Sequence, residues 1–241
     1  MTTRTLTSTL RIILPHLAAA LVILGCVRLA VWQLDRAEYK RTLGEQWQNA
    51  PALSFDEAAD GAAPRYSRIE GTGRFDAERQ VFLDNQIRLN HSGIHVFTPF
   101  IPASGKALYL VNRGWQPWNR QSDSWPEFPT PTGTITLSGR LSDPPRVGLQ
   151  LGEAAPLDPD DWPNLMTYFD QERLREAFGA DLAGQIILLD PEHPAHLTGD
   201  QWQLINMGPE RHTGYAFQWA SIGLAVFIIW LVLTIRSRRR A

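Results

Sequence analysis

Cysteine is all but absent from this 241-residue chain: Cys26 is the only one, and it lies inside a hydrophobic run. The remainder therefore has no disulfide and no C-x-x-C or C-x-x-x-C pair for thiol exchange or copper. Methionine is as sparse, three in all and none clustered, which argues against a copper carrier built on thioethers. Nucleophile and phosphate motifs are missing as well. There is no G-x-S-x-G, H-E-x-x-H or G-x-x-x-x-G-K, and Gly71-Thr72-Gly73 lacks the third glycine of a dinucleotide loop. The chain reads as a non-enzyme.

Carboxylates are absent from both ends. Residues 35–211 hold all 25 Asp and Glu against 16 Lys and Arg, a balance of −9, and the ends carry seven arginines and no acid, which returns the net −2. So acidic a middle has no electrostatic footprint for nucleic acid. The mean hydropathy of −0.22 hides how the apolar residues are distributed. Residues 12–34 and 215–235 are almost unbroken apolar runs, each as long as the ~20 residues that cross a bilayer core. The first is too long for a signal-peptide core and no A-x-A site follows it, so it is expected to stay as an anchor. Flanking arginine stays on the cytoplasmic side. The expected order is a cytoplasmic N-terminus (1–11), a first span (12–34), a periplasmic domain (35–214), a second span (215–235) and a basic cytoplasmic tail (236–241). That is a multi-pass protein of the bacterial inner (plasma) membrane, both termini inside.

Between the spans, short runs rich in Val, Ile, Leu, Thr and aromatic residues alternate with Gly, Pro, Asn and Asp. Strands are expected at 66–75, 80–85, 93–101, 107–112, 133–141 and 185–189. A helix is expected from Asp170, as cap, to Phe178, and the first span should continue as a helix to about Gln48, stopped by Pro51. Residues 56–64 and 143–163 read as loops. The fold class is α+β: two transmembrane helices flanking a mainly antiparallel β domain.

His212 is the residue that stands out chemically. It opens the second span beside Tyr215 and Trp219, with Arg211 next to it. An iron porphyrin needs an imidazole nitrogen, an apolar wall and cations for its propionates, and this segment supplies all three. The plainer reading makes His212 a helix-end residue and the aromatics an interfacial belt. Both stand at this point. Ala216, Ala220 and Gly223 form a small-residue face for the first span to approach. In that span Gln33, Arg36 and Lys40 share one face and Arg28, Trp32 and Arg36 another. A charged Arg28 within a span either has a function or snorkels. His16, after Pro15, reads as a structural helix-start residue. The pairs His91/His95 and His193/His196 lack a third ligand of suitable spacing and read as solvated. The stretch from Val111 to Pro117 reads as a strand ending in a turn, with Arg113 and Trp115 as a contact surface for a partner.

Taken in order, Trp32-Gln33-Leu34-x-Arg36-x-x-x-Lys40, Gly93-x-x-Val96-x-Thr98-Pro99, Leu110-Val111-Asn112-Arg113-Gly114-Trp115-x-Pro117 and His212-x-x-Tyr215-Ala216-x-Gln218-Trp219 resemble the surfeit-locus-one (Shy-one-like) family of cytochrome c oxidase assembly proteins. The resemblance runs from about Gly25 to Trp219. It departs at Ala30, where the family usually has Gly, and at Arg28, which is outside the pattern. It implies a membrane-anchored assembly factor that binds haem a and aids its insertion into the large oxidase subunit. His212 would be the iron ligand, and Tyr215, Trp219, Trp32, Arg36 and Arg211 the rest of the haem site. The large subunit and a haem a synthase would be the partners. The rival is a cofactor-free scaffold that stabilises oxidase assembly intermediates through the β domain.

Overall fold

The computed structural model describes residues 2–59, 63–119, 125–146, 156–179, 181–198, 202 and 207–240, with side chains from Ile13 to Arg239. The elements in chain order are α1 (Thr2–Gln48), β1 (Ala52–Leu53), α2 (Phe55–Ala59), β2 (Arg68–Phe75), β3 (Val81–Arg88), β4 (His91–Pro102), β5 (Tyr109–Pro117), β6 (Ile135–Ser142), β7 (Asn164–Met166), α3 (Gln171–Phe178), β8 (Ile186–Leu189) and α4 (Pro209–Arg240). They form two units: residues 1–45 with 203–241, and residues 46–202.

In the first unit, α1 and α4 contain windows of mean hydropathy 2.0 and 2.1, and both are long enough to cross a membrane. Their outer faces bear Leu24 at 65% and Phe217 at 76% exposure among many other bare aliphatics. Apolar surface on that scale needs lipid as its solvent; this is a membrane protein. The helices pair antiparallel. On α1 the seam is Cys26, Ala30, Gln33 and Ala37; on α4 it is His212, Ala216, Trp219 and Gly223, all of them buried or half-buried. A Cβ on Gly223 would stand 3.1 Å from Cys26 Cβ, so hydrogen at this position is what permits the backbones to approach.

Several expectations need correction here. Ala220 is exposed and Trp219 takes its place, because a seam at 212, 216, 219 and 223 follows the 3.6-residue period. By the same period Gln33 shares its face with Ala37 and Lys40 while Arg36 turns outward. Ala30 sits in the seam without opening it. Pro15 is inside α1, which begins at Thr2, so His16 is not a helix-start residue.

In the second unit β2, β6, β8, β5 and β4 are hydrogen-bonded in succession, and β4 returns to β2 through Gly73↔Pro102, Arg74↔Ile101 and Phe75↔Phe100. That closes a ring of five strands. The first half of β4 instead pairs with β3, which pairs with β7, and β1 lies along β2. All six expected strands are present. Two short ones, β1 and β7, were missed, since two or three residues are too few for an alternation to be read. Part of the region read as a loop at 56–64 is the short helix α2; of the 143–163 loop, residues 147–155 lie outside the described residues.

Ile69, Phe75, Phe100, Val111, Leu137, Leu141, Ile187 and Leu189 fill the ring, each at most 7% exposed. Burial of one such side chain stabilises by about 1.5–3 kcal/mol. A second cluster (Val81, Phe97, Leu110, Leu174, Leu188) covers the opposite side of β5 and β8 under α3. The expected Asp170 cap is there: its Oδ1 accepts from the N–H groups of Glu172 and Arg173 at 3.1 and 3.2 Å.

The segment read as a turn at Asn112–Pro117 is a strand throughout. β5 pairs Asn112 with Phe97 and Trp115 with His95, so Arg113 and Gly114 together oppose Val96 in a bulge. Gly114 holds φ +115° there, and a Cβ would lie 2.6 Å from Thr198 Oγ1. Asn112 Oδ1 accepts the Gly114 N–H at 3.0 Å. The signature reads as turn chemistry because a bulge uses the same residue types.

Gly114→Ala is expected to destabilise the protein by roughly 1–3 kcal/mol, and more than Gly133→Ala, whose added Cβ meets nothing within 4 Å; thermal unfolding of the full chain in detergent measures both. Gly223→Cys should close an intramolecular disulfide with Cys26 on mild oxidation, a small relaxation bringing the Cβ atoms into the ~3.5–4.5 Å range. Failure of that bond to form would refute the seam.

Candidate functional site

His212 occupies the first turn of α4 and is 8% exposed. Its Nδ1 lies 2.7 Å from Gln33 Oε1 on α1. An amide oxygen only accepts, so Nδ1 carries the proton and donates it. In the neutral ring the lone pair is then on Nε2, and no group among the described residues engages that atom. A metal-ligating histidine is typically set up in this way, its second nitrogen held by a hydrogen bond that fixes tautomer and ring orientation.

At the far end of the same pair the arrangement is inverted. Trp230 Nε1, which can only donate, meets His16 Nδ1 at 2.8 Å, the rings edge-to-face at 88°. His16 therefore accepts on Nδ1 and bears its proton on Nε2. Two histidines on one helix hairpin are held in opposite tautomers by their partners, and only His212 has a nitrogen ready for a metal.

Of the other expected site residues, Trp32, Arg36, Arg211 and Tyr215 stand within a turn of Gln33 or His212 in their own helix, and Trp219 stands two turns beyond His212. Trp32 and Tyr215 are 46% and 45% exposed, and Trp219 is half-buried in the seam. Arg36 and Arg211 are both exposed; the Arg36 guanidinium lies 5.3 Å from the centre of the Tyr39 ring. Arg28 is exposed on the helix surface, away from α4. The chemistry of the donor set fits a haem: an oriented imidazole, exposed aromatic surface, and two exposed arginines, Arg211 beside His212 and Arg36 three residues after Gln33. Gln33 was passed over as a site residue, although a polar amide on the seam face of an apolar span is the signal that could have singled it out.

In the β unit the expected partner surface divides. Arg113 is 0% exposed. Its Nε donates to Ala195 O at 2.9 Å, Nη1 to Thr130 Oγ1 at 2.7 Å and Thr98 Oγ1 at 3.4 Å, and Nη2 to Pro129 O. It pins two loops against the bulge and cannot serve as a contact surface. Burial lowers its pKa to about 10, which leaves it charged at neutral pH. Trp115 is half-buried, its indole N–H donating to Gln86 O at 2.8 Å and the Arg88 guanidinium 5.7 Å from its ring.

The remaining histidines serve the β fold. His91 Nδ1 contacts Leu89 O, and His193 bridges Thr136 O and the Ala195 N–H. Among the described residues no group of three or more His, Cys, Asp or Glu could hold a metal ion. His95 stacks on Trp202, with Nδ1 3.2 Å from Asn112 Oδ1; burial lowers its pKa, Asn112 opposes that and Arg88 adds to it. A histidine neutral when folded and protonated when unfolded withdraws stability as pH falls below about 6.5. The full chain should accordingly melt at lower temperature at pH 5.5 than at pH 7.5, and His95→Gln should shrink that difference.

Residues 20–224 match the SURF1 family. A SURF1-like protein of Drosophila melanogaster is 26% identical over 228 aligned positions, covering 86% of this chain and 71% of its own length. One of Caenorhabditis elegans is 25% identical over 248 positions, covering 93% and 72%. The matched stretch contains Gln33, the whole β unit and His212. With part of each long helix and everything between them inside the match, the chain belongs to the SURF1 family.

Proposed function

We propose that this protein carries haem a on His212 and delivers it to the large subunit of cytochrome c oxidase. SURF1 proteins are oxidase assembly factors; the cofactor and the client subunit are the reading offered here. The observation that carries it is the 2.7 Å contact between His212 Nδ1 and Gln33 Oε1, which leaves Nε2 as the free lone pair. Bound haem would supply an iron centre, and His212 Nε2 would be its ligand from the protein. Gln33 holds the ring and its tautomer. Trp32, Tyr215 and Trp219 would provide apolar wall, and Arg36 and Arg211 would be the cations available to the propionates. A carrier must release its load, so one protein ligand would serve better than two. The basic helix ends support a reading in which both termini lie in the cytoplasm and the β unit in the periplasm of a bacterial inner membrane. A haem a synthase fits upstream as the donor.

The scaffold reading has its own support. The turn between β3 and β4 places Leu89 at φ +47° and Asn90 at φ +62°, and it projects Ile87 and Leu89 at 78% and 84% exposure beside Trp115 and Arg88. A strained, bare aliphatic tip is what a protein contact would use.

Protein purified in detergent from a host that makes haem a is expected to show a Soret and an α band in the visible spectrum. His212→Ala should abolish both, and Gln33→Leu should weaken haem retention by roughly 10–100-fold, the usual effect of losing the hydrogen bond behind a metal ligand. A spectrum blank in the wild type, with oxidase still co-purifying and Leu89→Asp abolishing that co-purification, would instead establish the scaffold.

A further inference from the structure

The groove between the two helices at the His16–Trp230 end is used by nothing described so far. It has a volume of about 450 Å³ and is walled by Pro15, His16 and Ala19 on α1 and by Val226, Ile229, Trp230, Leu233, Thr234 and Ser237 on α4. Most of that wall is aliphatic. Its polar groups collect at one end, where Ser237 follows Thr234 and the exposed arginines Arg236, Arg238 and Arg239 begin. Residues 1–34 and 211–241 contain no Asp or Glu, so no acidic side chain of these segments opposes these cations.

We propose that this groove is a binding site for one anionic phospholipid. The aliphatic wall takes an acyl chain, and the phosphate lies at the arginine end. His16 supports this in a specific way. Because its Nδ1 accepts the Trp230 N–H at 2.8 Å, the neutral ring presents Nε2–H, a donor suited to a phosphate or ester oxygen and unsuited to a metal. The Trp230 bond thus sets His16 up to give a hydrogen bond, as the Gln33 bond sets His212 up to receive a metal. Arg236, exposed, directly precedes Ser237 at the edge of the stripe that lines the groove. A basic pocket between membrane helices at the positively charged end is a recognised form of anionic-lipid site. A zwitterionic lipid could fill the apolar wall but would gain little from the arginines, so headgroup charge separates a site from ordinary annular lipid.

Native mass spectrometry of the full chain in detergent, titrated with dioleoyl phosphatidylglycerol or dioleoyl phosphatidylcholine, tests this. The expected result is one phosphatidylglycerol adduct that saturates and survives activation that strips phosphatidylcholine. Arg236→Gln should weaken it roughly fivefold, the worth of about one arginine at an anionic surface. Trp230→Phe, which keeps an aromatic ring and removes the N–H, should also weaken it, with helix content unchanged by circular dichroism. Equal retention of the two lipids, adducts that never saturate, or indifference to both substitutions would overturn the proposal.

Discussion

One hydrogen bond organises the candidate site: the Nδ1–H of His212 to Oε1 of Gln33, across the seam of two apolar helices. Between two membrane helices such a bond contributes on the order of 0.6–2 kcal/mol to helix association. Its larger effect is on chemistry. It settles which nitrogen bears the proton and in which plane the ring lies, two variables that an unrestrained imidazole leaves open. The close approach of Cys26 and Gly223 one helix segment further on keeps the two residues in reach of each other, so the packing of small side chains and the orientation of the histidine are one problem with one solution.

The β unit solves a different problem. A ring of five strands has few free edges and a core that leaves no slack. At its bulge the interior accepts a charged side chain. Arg113 is sheltered completely and is supplied with neutral oxygens from Ala195, Thr130, Thr98 and Pro129. Desolvating a guanidinium is costly unless its donors are met; here they are, and the loops that meet them are thereby fixed. The Asn-Arg-Gly-Trp signature is therefore a device of architecture: Asn112 bridges the bulge, Gly114 supplies its backbone conformation, Arg113 ties in the loops and Trp115 reaches over Gly93 to the carbonyl of Gln86.

Much of this was legible in the sequence. The two membrane helices follow from hydropathy and length, the six main strands from alternation and punctuation, and the cap of α3 from Asp170 at the head of an amphipathic run. What could not be read is what depends on partners far apart in the chain. Gln33 and His212 are separated by 179 positions, and no local pattern says that one will orient the other. The same holds for Trp230 and His16, separated by 214. Arg113 was read as part of a contact surface because its segment looks like a strand ending in a turn, and only the fold around it reverses that. His212 itself was found from its neighbours at helical spacing, whereas the bond that gives it meaning belongs to the fold.

The tautomer of His212 is the quantity on which the account turns, and nitrogen-15 spectroscopy of histidine-labelled full chain in detergent reads it directly. The account predicts that His212 carries its proton on Nδ1 and shifts to a mixture when Gln33 is replaced by Leu, while His16 carries its proton on Nε2 throughout. His212 found protonated on Nε2, and unmoved by the loss of Gln33, would contradict it.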